Sequence, residues 1–149
     1  ERRAAVGIKL SVQQYQQMLN HVAQEVPNEA CGLLGGSRDQ VLEVIPVKNT
    51  SESPFRFRMD PSEQVRALFG LEERGLELIA IYHSHPSGPP GPSLTDLSEA
   101  AYPETYQLIW YQEGGNWKCS AYRYRADTAE EVPLQVESSE QERDSEDQN

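Results

Sequence analysis

The segment Leu76-Glu77-Leu78-Ile79-Ala80-Ile81-Tyr82 is apolar at every position but one, and it runs directly into His83-Ser84-His85-Pro86. A short apolar run bounded by Gly75 and a Pro/Gly loop reads as a central strand buried on both faces. Side chains alternate across a strand, so His83 and His85 point to the same face. Whatever the chain folds into must contain a sheet whose inner strand delivers two imidazoles at its mouth. A Pro/Gly loop then spans Pro86 to Pro92, and Ser93 and Asp96 follow it.

The rest of the chain supplies partners for that strand. Ser11 reads as the N-cap of a helix carrying Val12, Tyr15, Met18, Leu19, Val22 and Val26 at helical spacing, closed by Pro27. This apolar face belongs to the core. Cys31 to Gly36 reads as a strand ending in a glycine turn, with Val41 to Val47 as its hairpin partner. Phe55-Arg56-Phe57-Arg58-Met59 alternates and predicts a strand with one wet face. It can also form one wall of a groove for an extended peptide. Asp60-Pro61 opens a helix that runs to about Arg74. A short helix is expected near Thr95 to Ala101. Tyr106 to Gln112 and Trp117 to Arg125 form two further strands around a Gly114-Gly115-Asn116 turn. Val132 to Val136 adds an edge strand. The class is α/β, a mixed central β-sheet flanked by helices.

Charge separates the chain into two parts. It has 149 residues, with 24 acidic against 13 basic side chains and a net charge of -11. The stretch 137–149 holds six acids, one arginine and no apolar residue, so it reads as a disordered acidic tail behind a domain over 1–136. The balance argues against nucleic acid or an anionic membrane as partner. No apolar run approaches the roughly 18 residues of a membrane span. No charged and apolar leader opens the chain. Two cysteines, Cys31 and Cys119, are too few for a disulfide scaffold, and both read as buried thiols in a reduced cytoplasmic protein. His21 reads as a surface residue of the first helix. Oligomeric state is not encoded in any of these features.

Two one-faced imidazoles can bind a transition metal, and the loop is long enough to fold Asp96 back to the same point. Taken alone, Ser93-Leu94-Thr95-Asp96 is a capping box, the His pair is a surface feature and Glu29 is a loop carboxylate. A capping box and a metal site are compatible, because the cap fixes the helix start that presents Asp96. Two histidines and a carboxylate leave the fourth position of tetrahedral zinc to water, whose pKa falls towards about 7. Glu29 stands between the Pro27-Asn28 break and an apolar strand, where it can serve as the base such a hydrolase needs. Ser93 can place a hydroxyl near a substrate carbonyl.

With Glu29, His83-Ser84-His85, seven residues, Ser93, two residues and Asp96, the chain resembles the JAMM (MPN+) metalloproteases at every defined position of their signature. Asn28 to Gly36 is similar to the catalytic-glutamate segment of the small prokaryotic members. The resemblance covers roughly Ile8 to Arg125. It implies a cytidine-deaminase-like architecture, one zinc per chain on His83, His85 and Asp96, Glu29 as general acid/base and Ser93 stabilising the tetrahedral intermediate. It implies a zinc isopeptidase or peptidase acting after the C-terminal glycine of a ubiquitin-like protein, or a peptidase acting on a ThiS/MoaD-like sulfur carrier, for example releasing cysteine. A non-catalytic module that binds ubiquitin-like proteins is the reading from another class, and the intact set of site residues argues against it. The stretches Asn49 to Pro54 and Glu99 to Gln107 leave little room for the insertions by which eukaryotic members select ubiquitin linkages.

Overall fold

The computed structural model describes residues 7–138. In chain order the elements are β1 (Ile8–Ser11), α1 (Val12–Glu25), β2 (Cys31–Ser37), β3 (Gln40–Val47), α2 (Pro61–Glu73), β4 (Glu77–His85), α3 (Leu94–Ser98), β5 (Tyr106–Glu113), β6 (Asn116–Arg125), β7 (Thr128–Val132) and β8 (Leu134–Glu137). The strands form one mixed sheet in the order β7-β6-β5-β4-β2-β3-β1-β8. β4 pairs antiparallel with β2 and parallel with β5. Both its edges are therefore satisfied, and it is buried from Ile79 through His85. The parallel step to β5 demands a crossover, which the Pro/Gly loop and α3 provide.

Two cores follow from the alternation along the strands. On one face Met18 and Val22 of α1 pack on Ile8, Leu10, Leu34, Tyr82 and Trp110. Burying each such side chain is worth about 1.5–3 kcal/mol. Ser11 starts α1 with a capping box, accepting from the Gln14 amide and donating its own amide to the Gln14 side chain. Val12 and Val26, at the two ends of the expected apolar face, are 50% and 45% exposed. On the other face Ala67 and Leu68 of α2 cover Cys31, Leu33, Val47, Met59 and Ile81. A Cβ on Gly35 would run into Leu71 of α2, and one on Gly32 into the Tyr82 ring. Ile81, His83 and His85 share parity on β4, so the histidines continue the α2 face beyond the end of its apolar core.

Several expectations need correcting. Phe55–Met59 is not a strand, because only an isolated Asn49–Met59 bridge forms. Its backbone groups go instead to the Asn49 side chain and to Thr50. The alternation survives only in part: Phe57 and Met59 turn inwards between the exposed Arg56 and Arg58, but Phe55, on the same parity, is 77% exposed. His21 is half-buried, with Nδ1 2.8 Å from the Tyr82 hydroxyl. Cys31 is buried, whereas Cys119 is only half-buried. The helix after Ser93 is shorter than expected, ending at Ser98. Pro133 divides the last strand into β7 and β8, since proline cannot donate to a ladder. β1, four residues long, was too short to leave a readable alternation. β8 extends to Glu137, one residue into the expected tail, and residues 139–149 of that tail lie outside the described residues. Among the described residues no helix is long and apolar enough to cross a membrane.

Candidate metal centre

β4 brings His83 Nε2 and His85 Nε2 to 3.2 Å from each other. Asp96, in the first turn of α3, places Oδ2 3.0 Å from His85 Nε2 and 3.3 Å from His83 Nε2. Zinc bonds of 2.0–2.1 Å in a tetrahedron require neighbouring donors about 3.3 Å apart. The observed triangle therefore has the dimensions of three ligands around one ion. Its chemistry also fits. His85 Nδ1 lies 2.8 Å from the Pro89 carbonyl, which can only accept, so Nδ1 carries the proton and Nε2 presents a lone pair inward. Burial lowers the pKa of His83 and so favours its neutral, ligating form.

The capping box at α3 is real and serves the centre. Ser93 Oγ accepts from the Asp96 amide at 3.0 Å, and the Ser93 amide donates to Asp96 Oδ2 at 2.9 Å. The carboxylate oxygen that faces the imidazoles is thus held from behind. Ser93 Oγ, having accepted one hydrogen bond, keeps its own O–H to donate.

Glu29 lies just ahead of β2 and is buried. Its carboxylate is within 4.8 Å of both imidazole donors, farther out than Asp96. Oε1 has no hydrogen-bond partner among the described residues. Burial, supported by the charge of Asp96 and opposed by His85, pushes its pKa up to about 8. A buried carboxylate oxygen without a partner, beside three convergent donors, has the disposition of a group that waits for a proton or a polar ligand. All five residues singled out in the sequence thus meet at one end of β4.

Phe57, expected only as a strand residue or groove wall, and Ser84, which carried no readable signal, also belong to the centre. Phe57 stacks on the His83 ring at 4.6 Å between centroids and 24° between planes. It holds that ring where Nδ1 has no hydrogen-bond partner among the described residues. Ser84, between the two histidines, accepts from the Ala30 amide at 2.8 Å and donates its own amide to the Ala30 carbonyl at 3.1 Å. It locks β4 to the residue after Glu29. A groove of about 530 Å³ leads from His83 and Asp96, with Arg56 and Phe57 on one wall, Glu99 on the other and Ile81 and Tyr124 among its lining. Arg56 and Glu99 pair across it at 3.2 Å.

A mixed sheet that gathers two histidines and an aspartate at the mouth of an inner strand, with a buried glutamate beside them, defines a metal centre of the JAMM type. The chain belongs to the prokaryotic JAB family: the family model described as prokaryotic homologs of the JAB domain matches residues 11–128. It is 45% identical over 90 residues to the probable TtuB-protein conjugate cleaving protease of Thermus thermophilus, a match covering 60% of each chain. It is 34% identical to the desampylase of Haloferax volcanii, covering 77% of this chain and 83% of that one. It is 31% identical to the CysO-cysteine peptidase of Mycobacterium tuberculosis, covering 80% and 84%. Among solved structures, a solution structure from Desulfitobacterium hafniense superposes with TM-score 0.81 at 36% identity, covering 89% of this chain and 94% of that one. The structure described as a metalloprotease-like zinc site in the proteasome and signalosome superposes at 0.55 with 25% identity, covering 89% and 99%.

Proposed function

We propose that the chain is a zinc-dependent peptidase or isopeptidase that hydrolyses the bond after the C-terminal glycine of a ubiquitin-like protein. The observation that carries this reading is the triangle of His83, His85 and Asp96 donors at zinc-ligand spacing, with the Glu29 carboxylate beside it, its Oε1 without a partner among the described residues. His83, His85 and Asp96 hold the zinc in this reading. Zinc supplies Lewis acidity, which makes water nucleophilic near neutral pH and polarises a carbonyl. Glu29 accepts the proton of the attacking water and delivers it to the leaving amine. A carboxyl shifted towards neutrality by burial suits both halves of that transfer. Ser93 donates its free O–H to the developing oxyanion while its Oγ is held by the Asp96 amide. The substrate tail lies extended in the groove past Phe57, and a small Gly-Gly end fits the narrow approach to the centre. A reducing compartment suits two free cysteines, and we place the activity in the cytoplasm.

Three of the relatives are named CysO-cysteine peptidases. This favours a second reading, in which the same centre acts on a ThiS/MoaD-like sulfur carrier. Incubating the protein with linear and isopeptide fusions of ubiquitin and of ThiS/MoaD-like carriers, with and without chelator, separates the two by product mass. Cleavage after the terminal glycine, lost with chelator, is the expected result. Intact substrates throughout would leave only a binding module.

A further inference from the structure

Glu29 precedes the sheet, and its backbone is not held by a strand. Both its polar backbone groups go to the loop that follows β3. The Glu29 amide donates to the Ser53 carbonyl at 2.8 Å. The Glu29 carbonyl accepts from Asn49 Nδ2 at 3.0 Å. Asn49 is only 7% exposed. Its Nδ2 also donates to the Arg56 carbonyl at 3.2 Å, and its Oδ1 accepts from the amides of Ser51 and Arg58 at 3.0 and 2.9 Å. Every hydrogen-bonding valence of the side-chain amide is used. One end of this network carries the proton-transferring carboxylate, and the other carries Arg56, Phe57 and Arg58, which line the groove.

We infer that Asn49 is a positioning residue for Glu29, coupling the groove wall to the placement of the carboxylate. The inference rests on Glu29 carrying the proton, as proposed above. The physical case is one of precision. A buried side chain with no hydrogen bond on Oε1 takes its position from its backbone, and a misplacement of about 1 Å can cost about 100-fold in rate. Asn49 is the side chain that grips that backbone on the side away from β4, while Ser84 grips the following residue from β4 itself.

The test is a double-mutant cycle on the zinc-loaded enzyme, with Asn49→Asp and Glu29→Gln. Asn49→Asp is isosteric and keeps the acceptor for Ser51 and Arg58, but it sets an oxygen against the Glu29 and Arg56 carbonyls. In the wild-type background kcat should fall about 10- to 100-fold, with zinc affinity in chelator competition unchanged. In the Glu29→Gln background the same substitution should change the residual kcat less than about twofold. Any rise in KM, which reports the wall, should be equal in both. Equal losses of kcat in the two backgrounds overturn the inference and leave the role of Glu29 standing. Wild-type kcat in Glu29→Gln overturns both. Amide exchange of the unmutated protein gives a reading that needs no variant. The Glu29 and Arg58 amides should open at one common rate, and a Glu29 amide that exchanges freely while Arg58 stays protected overturns the coupling.

Discussion

Glu29 sits in an environment that a carboxylate ordinarily avoids. A carboxylate buried without a partner on one oxygen costs stability, which an ordinary loop position has no reason to bear. Glu29→Gln keeps the shape and removes the proton carrier. It should lower kcat by roughly 10²–10⁴-fold while zinc content by metal analysis stays at one per chain. His85→Ala removes a proposed ligand, and full retention of stoichiometric zinc there would sink the ligand assignment. His21 bears on pH. Burial lowers its pKa below 6.5, so the unfolded chain binds more protons than the folded one just below that value. Stability held above pH 6.5 is therefore lost as the pH falls through the lowered folded value. In the chelator-treated protein, the drop in urea midpoint between pH 7 and pH 5 should be smaller for His21→Gln than for the wild type. An unchanged drop would remove His21 from the account.

At the scale of elements, the centre is assembled by the end of one strand and the start of one helix. β4 sets the His–His distance by its pleat, and α3 sets the Asp96 position by its cap. Both are local devices, and for that reason His83, His85, Ser93 and Asp96 were legible as neighbours from their spacing. The elements that support them depend on close approach. Tyr82 lies across Gly32 of β2 and reaches His21 of α1. Gly32→Ala should therefore lower the urea unfolding free energy by about 1–3 kcal/mol through overpacking, and a variant as stable as wild type would contradict the packing. The strand expected at Phe55–Met59 shows the limit of pattern. Alternation sets the direction of side chains on extended backbone, but a strand also needs a free edge to pair with. β4 is paired on both sides, and the segment folds onto Asn49 instead.

For the whole molecule, the ion and the fold are thermodynamically coupled. The three donors proposed to hold it come from two elements separated by a loop, so an ion that binds only the assembled set adds its binding free energy to folding. Zinc at a hundred times its Kd should add about 2.7 kcal/mol, a rise in Tm of about 5–10 °C for a domain of this size. Calorimetry with and without chelator reads this directly, and identical melting curves would mean that the triangle does not bind the ion in the native state.

The sequence by itself determined the class of the sheet, its buried inner strand, the convergence of His83, His85 and Asp96 and the capping serine. Each of these follows from a period or a cap that acts within about a dozen residues. It also nominated Glu29, but it could not state how that residue is held. Only the tertiary structure decided that the carboxylate stands beside the imidazoles with Oε1 unpartnered among the described residues, that His21 reaches Tyr82, and that Asn49 fastens the groove wall to the backbone of Glu29. These depend on loop hydrogen bonds and ring contacts between segments 20 to 61 residues apart. Their geometry is set by which buried donors and acceptors must be satisfied once the sheet has closed, and no local pattern in the chain encodes that demand.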